Sequence, residues 1–128
     1  MADAQALKVR QLDADEAARR LAGVERLDPS GMTPDAATLA RSGRAYAVEG
    51  EGADAVYVVA VRNGVAFVVA AKGGGELDHT DLIDSVITAQ ARGLEAVACQ
   101  TARPGLVRKL QRRGWRVTGW VLRKELAP

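Results

Sequence analysis

Residues 55–71 read AVYVVAVRNGVAFVVAA, two apolar runs on either side of Asn63-Gly64. An Asn-Gly pair between such runs is the strongest short hairpin signal in a sequence, because a type I′ turn needs positive φ at both central positions. The runs, 55–62 and 65–71, are apolar at nearly every position instead of alternating. That pattern predicts strands buried on both faces, in the middle of a sheet with helices above and below.

Upstream, 44–49 predicts another strand, turned by 50–54, and the alternation of Leu7, Val9 and Gln11 with Lys8 and Arg10 predicts a short one over 7–12. Between them Asp13 is expected to cap a helix, with Glu16 as its reciprocal partner and Ala17, Ala18, Leu21 and Ala22 as the inner stripe. Thr33-Pro34-Asp35 predicts a second helix, with Thr33 as cap and Pro34 in the first helical position, stopping at Ser42-Gly43.

Downstream, Lys72-Gly73-Gly74-Gly75 is expected to break the strand. A helix from Asp78 or Thr80 to Arg92 follows, with Leu82, Ile83, Val86, Ile87, Gln90 and Ala91 on one face. Then come a strand over 95–100, a helix from Pro104 to Arg113 stopped by Gly114, and a last strand over 115–125 with a bulge-like break at Thr118-Gly119. The predicted order is β-α-α-β-β-β-α-β-α-β, one α/β domain over 1–128 with a mixed sheet and helices on both faces.

A chain of 128 residues with 48% hydrophobic and 27% charged residues has ordinary globular composition, which argues against a disordered protein. No apolar run approaches the roughly 20 residues of a membrane-spanning helix, and no secretory pattern opens the chain, so a cytoplasmic location is expected. One cysteine excludes an internal disulfide, and one histidine excludes a Cys- or His-rich metal site. Charge is uneven: 103–128 carries eight Lys/Arg against Glu125 alone, whereas 1–102 carries ten against fifteen acids. Arg108 and Arg112, and Lys109 and Arg113, form two adjacent like-charged rows on the Pro104 helix, with Arg116 beyond. This surface reads either as a solvated face or as a contact for a protein partner or nucleic acid.

The element order, together with the run from the strand 65–71 through the loop 72–78, the helix to Arg92-Gly93-Leu94, the strand 96–100, the helix 106–113 and Gly114-Trp115, resembles the GNAT family of N-acetyltransferases. The segment 90–120 is also similar to small GNAT-like proteins of tailed phages, some of them virion components. The resemblance implies a central strand that breaks into a loop and a helix N-terminus holding the pyrophosphate of acetyl-CoA. The implied cofactor contacts are Ala70, Ala71, Lys72, Gly73, Gly74 and Gly75. It further implies an edge for self-pairing at the last strand, and host cytoplasm or the virion as the location.

This sequence departs from that pattern. Glu76, Asp78 and Asp81 set negative charge where the diphosphate would lie, each at a cost of about 1 kcal/mol or more at short range. The tyrosine that the family often places four residues before the Gly-aromatic pair is Leu110 here. For the general base, Glu49, Glu51 and His79 are open readings beside surface roles, and Cys99 reads as a small buried hydrophobe. The expectation is a catalytically degenerate domain that acts as a structural or interaction protein, with phage structural proteins or a second copy as partner. The alternatives are an acetyl-CoA-dependent N-acyltransferase and a nucleic-acid-binding accessory.

Overall fold

The structure, a computed structural model, describes residues 8–27, 34–50, 53–74, 80–101 and 103–127. Its strands are Lys8–Leu12 (β1), Arg44–Gly50 (β2), Ala53–Arg62 (β3), Val65–Gly74 (β4) and Ala96–Cys99 (β5). Its helices are Ala14–Leu21 (α1), Ala36–Arg41 (α2), Thr80–Gln90 (α3) and Pro104–Gln111 (α4), with a 3-10 turn over Val24–Leu27. Asn63 and Gly64 take φ of 52° and 77°, both positive as the tight hairpin requires.

The five strands lie in sequence order in one sheet. β1 to β4 are successively antiparallel, and β5 is parallel to β4 after the α3 crossover. Side chains alternate between two apolar layers. Ala45, Ala47, Val56 and Val58 face α1 and α2, where they meet Ala17, Leu21, Leu39 and Ala40. Tyr46, Val48, Tyr57 and Val59 face the other way and pack under Leu82, Ile83, Val86 and Ile87 of α3. The sheet is thus covered on both sides, as the unbroken apolar runs predict. β3 is buried at 55–58 and at Ala60, however, and Val61 beyond them is 60% exposed.

Tyr57 is completely buried and stacks on Tyr46 at 5.5 Å. Its hydroxyl donates to Gln90 Oε1 at 2.6 Å, tying the sheet to the last turn of α3. Burial, with Tyr46 adding to it, pushes this hydroxyl's pKa up, against the hydrogen bond to Gln90. The phenol therefore stays a neutral donor.

Several boundaries differ from the sequence reading. Asp13 caps α1 by accepting from the Glu16 N–H at 2.8 Å, but the Glu16 side chain does not reach back. It turns to Arg10 and Arg20, both at 3.2 Å, because two guanidinium groups hold a carboxylate better than one backbone N–H. α2 is capped by Asp35, which accepts from Thr38 N–H at 2.9 Å, so Pro34 precedes the cap. Thr33 lies outside the described residues. β4 runs through Lys72 and Gly73 to Gly74, since each is held opposite a β3 residue in the ladder, down to Asp54. α4 ends at Gln111, two residues before Arg113.

The largest difference is at the end of the chain. Residues 115–127 form no strand. Apolar periodicity signals a strand only where a neighbouring strand pairs with it, and among the described residues none pairs with this segment.

Gly43 is fixed by close approach: a Cβ there would come within 2.2 Å of the Val59 carbonyl oxygen on β3. Gly43→Ala is therefore expected to lower stability by about 1–3 kcal/mol, as overpacking against backbone does, read from the midpoint of urea denaturation.

Candidate functional site

The end of β4 is the first candidate site. Ala70 is buried in the layer under α1 and α2, and Ala71 packs toward α3. Lys72 donates from Nζ to the Ala22 carbonyl at 2.8 Å, at the C-terminal end of α1 where the helix dipole favours a cation. Gly73 and Gly74 are in the β3–β4 ladder opposite Ala55 and Asp54. Gly75, Glu76, Asp78 and His79 lie outside the described residues, as does Glu51. β5 accompanies β4 only from Val65 to Val68, so β4 continues to Gly74 without it and the two parallel strands part.

A shallow depression of about 350 Å³ adjoins this strand end, lined by Arg20, Asp54, Lys72 and Gly73 among others. Its cations are already engaged. Arg20 reaches Glu49 at 2.9 Å, Glu16 at 3.2 Å and Asp54 at 3.7 Å, and Arg10 adds bonds to Glu16 and Glu49. Arg10 foremost, then Arg20, holds the Glu49 carboxyl below its usual range. A general base that works near neutrality needs the opposite shift, so Glu49 is ill-suited to accept an amine proton. Glu16 is depressed as well, chiefly by its bonds to Arg10. Both carboxylates therefore support the fold above the unfolded carboxylate range, and that support is lost as pH falls through their lowered folded values. Cys99 is half-buried, and burial pushes its thiol pKa up, away from a nucleophilic thiolate.

The basic helix is the second candidate. Leu106, Val107 and Leu110 are half-buried, and Arg108, Lys109, Arg112 and Arg116 are exposed. Arg113, also exposed, differs from them in reaching across to α3. Its guanidinium binds Asp84 and Ser85 and lies 3.5 Å from Asp81 at the start of α3. Asp84 foremost raises the Arg113 pKa. Asp84 is itself only 8% exposed and also accepts from the Trp115 indole N–H at 2.7 Å. A buried carboxylate needs this compensation, which engages the Arg113 guanidinium while the residue stays exposed.

Sequence reasoning missed Asp84, although its position carried a signal. Residues 84, 87 and 91 share one helical stripe, and Ile87 and Ala91 are its buried members.

A half-open cavity of about 580 Å³ lies between the last turn of α3 and the sheet. Tyr46, Val59, Ile87 and Ala91 line it, with Arg44 and Arg62 at the strand ends and Ser42, whose hydroxyl donates to the Leu39 carbonyl at 2.7 Å. Among the described residues no group of three or more His, Cys, Asp or Glu is arranged to hold a metal ion, and no helix is long and apolar enough to cross a membrane.

Asp84→Ala would orphan the Trp115 indole and strand Arg113. The unmade hydrogen bond to Trp115 alone is expected to cost about 1–3 kcal/mol, seen in denaturant unfolding with a changed near-ultraviolet tryptophan signal. In comparisons with known proteins, no family model, no curated protein and no solved structure matches this chain.

Proposed function

We propose that the chain is a GNAT-like domain that does not turn over acetyl-CoA and acts as a structural or interaction protein. The observation that carries this reading is the occupation of the strand end where a diphosphate would need free donors. Lys72 is bonded to α1, and Arg20 is shared among three carboxylates. A diphosphate would have to displace these bonds while Asp54 and Glu49 stay close by. The exposed apolar surface lies elsewhere, along 117–126, which suits a protein contact better than a small cofactor. The likeness to small tailed-phage proteins suggests phage structural proteins as one class of partner, in the virion or the host cytoplasm.

A second reading, an acetyl-CoA-dependent N-acyltransferase, is favoured by one feature, the parting of β4 from β5 beyond Val68 and Cys99. Such a gap exposes strand edge to a ligand. In that reading Ala70–Gly75 would make the cofactor contacts. The exposed Arg108, Arg112 and Arg116 keep a nucleic-acid contact as a third reading, whose affinity would fall steeply with salt.

Isothermal titration with acetyl-CoA and with CoA separates the first two. No heat of binding up to roughly millimolar ligand is expected, which means a binding free energy weaker than about −4 kcal/mol. Micromolar binding that Gly74→Asp abolishes would overturn the non-catalytic reading and install the transferase.

A further inference from the structure

We infer that the cavity between the last turn of α3 and the sheet binds a small organic monocarboxylate with a ring-sized apolar body. It lies at the Arg62–Val65 end of the β3–β4 ladder, whereas Lys72 and Gly74 lie at the other end. Such a site is independent of acetyl-CoA and adds a small ligand to a domain read above as non-catalytic.

The floor of the cavity is apolar. Alternation puts Tyr46 on β2, Val59 on β3 and Ala66 on β4 on the sheet face that α3 covers, and Ile87 and Ala91 close it from the helix. Beyond Ile87 the space stays open, with Val61 60% exposed and Leu94 39%. A volume of about 580 Å³ is enough for a small organic molecule.

The polar groups beside this floor lack acceptors. Arg44 begins β2 opposite Val59, on the same sheet face as Tyr46. It is exposed, and among the described residues no carboxylate pairs with it. The Tyr46 hydroxyl has no hydrogen-bond partner among the described residues either. Gln90 commits its oxygen to the Tyr57 hydroxyl, which leaves its amide nitrogen as a donor beside the cavity. Arg62 adds a second positive charge at the rim, and no Asp or Glu is among the described residues that line it. The C-terminal end of α3 would repel an anion through free carbonyls, but the N–H groups of Ala91, Arg92 and Leu94 engage those of Ile87, Ala89 and Ala91.

Both rims are pinned. Gly43 packs against the Val59 carbonyl and holds the start of β2, and the Glu95 N–H donates to the Gly64 carbonyl at 2.8 Å, keeping Leu94 by the hairpin turn. A ligand would therefore enter a site already formed, with little chain left to order.

One guanidinium fork on the cavity wall matches the two oxygens of one carboxylate, and the neutral donors of Tyr46 and Gln90 suit a single negative charge better than a dianionic phosphate. The apolar floor takes the rest of the molecule. A nucleotide would leave hydroxyls and ring nitrogens unpaired against Val59 and Ile87.

Phenylacetate and cinnamate serve as probes, titrated into the full chain while backbone amide chemical shifts are followed by NMR. Phenylacetamide and cinnamide have the same shape without the charge. Saturable shifts confined to 42–46, 59–66 and 87–94 are expected for the acids, with 70–73 and 104–111 unmoved. The amides should bind about tenfold more weakly, as should the acids to Arg44→Ala, since each change removes a charge-assisted hydrogen bond. Val61→Glu, a like charge at an exposed rim position, should weaken the acids and leave the amides unchanged. Arg19→Ala, on α1 across the sheet, should bind as the unaltered chain does. All three positions are exposed, so the variants should keep the fold, which their spectra check directly.

No saturable shift at roughly millimolar probe would overturn the inference. So would shifts centred on 104–111, equal binding of acid and amide, or a loss in Arg19→Ala as large as in Arg44→Ala. Shifts at 70–73 on adding acetyl-CoA would instead overturn the non-catalytic reading and leave this site standing.

Discussion

The pairing of β3 with β4 across Asn63-Gly64 is the constraint on which the other elements depend. It gives the sheet its longest ladder, from Arg62 opposite Val65 to Asp54 opposite Gly74. β2 adds to one side of this hairpin and β5 to the other. Alternation along β3 then sends Val56 and Val58 to one helical layer and Tyr57 and Val59 to the other. A one-residue slip would exchange the two sets and set Tyr57 against α1 and α2, away from Gln90. Its buried hydroxyl would lose its partner, so the hydrogen bond to Gln90 helps fix the register as well as the position of α3.

The two helical layers are held by different chemistry. Under α1 and α2 the contacts are mostly small and aliphatic, and the polar bonds lie at the rim, where Arg10 and Arg20 bridge Glu16, Glu49 and Asp54. Such exposed pairs act as a network more than as single bridges. On the other side the polar bonds come inside, with Asp84 joining α3 to Arg113 and Trp115 just beyond α4. α4 has no fully buried residue of its own, so its attachment relies on these bonds more than on packing.

Most of this architecture was legible in the sequence, and the exceptions share a cause. The hairpin, the cap at Asp13 and the α3 stripe of Ile83, Val86 and Ile87 depend on local spacing, which a sequence displays. The bond of Lys72 to Ala22, fifty residues earlier, was not legible, because only the folded chain brings β4 beside the end of α1. The bond of Arg113 to Asp84 was likewise hidden, because its partner sits on another helix. The strand over 115–125 was the reverse case: its apolar pattern is genuine, but a strand is a relation between two segments and the pattern describes only one. The first halves of the candidate sites were therefore readable as residue types, and their actual engagements were not.

The irregular step between β3 and β4 sets which layer the end of β4 addresses. Val59 lies opposite Val68 and Val58 opposite Ala70, so Val69 is an extra residue, and Val69 and Ala70 both lean toward α1 and α2. From that point the parity of the strand is reversed. Lys72, opposite Val56, consequently meets the α1 end instead of the α3 layer. A single inserted residue thus works as a frameshift in space: it rewrites the address of every side chain downstream on the strand while leaving the chain's path through the sheet intact.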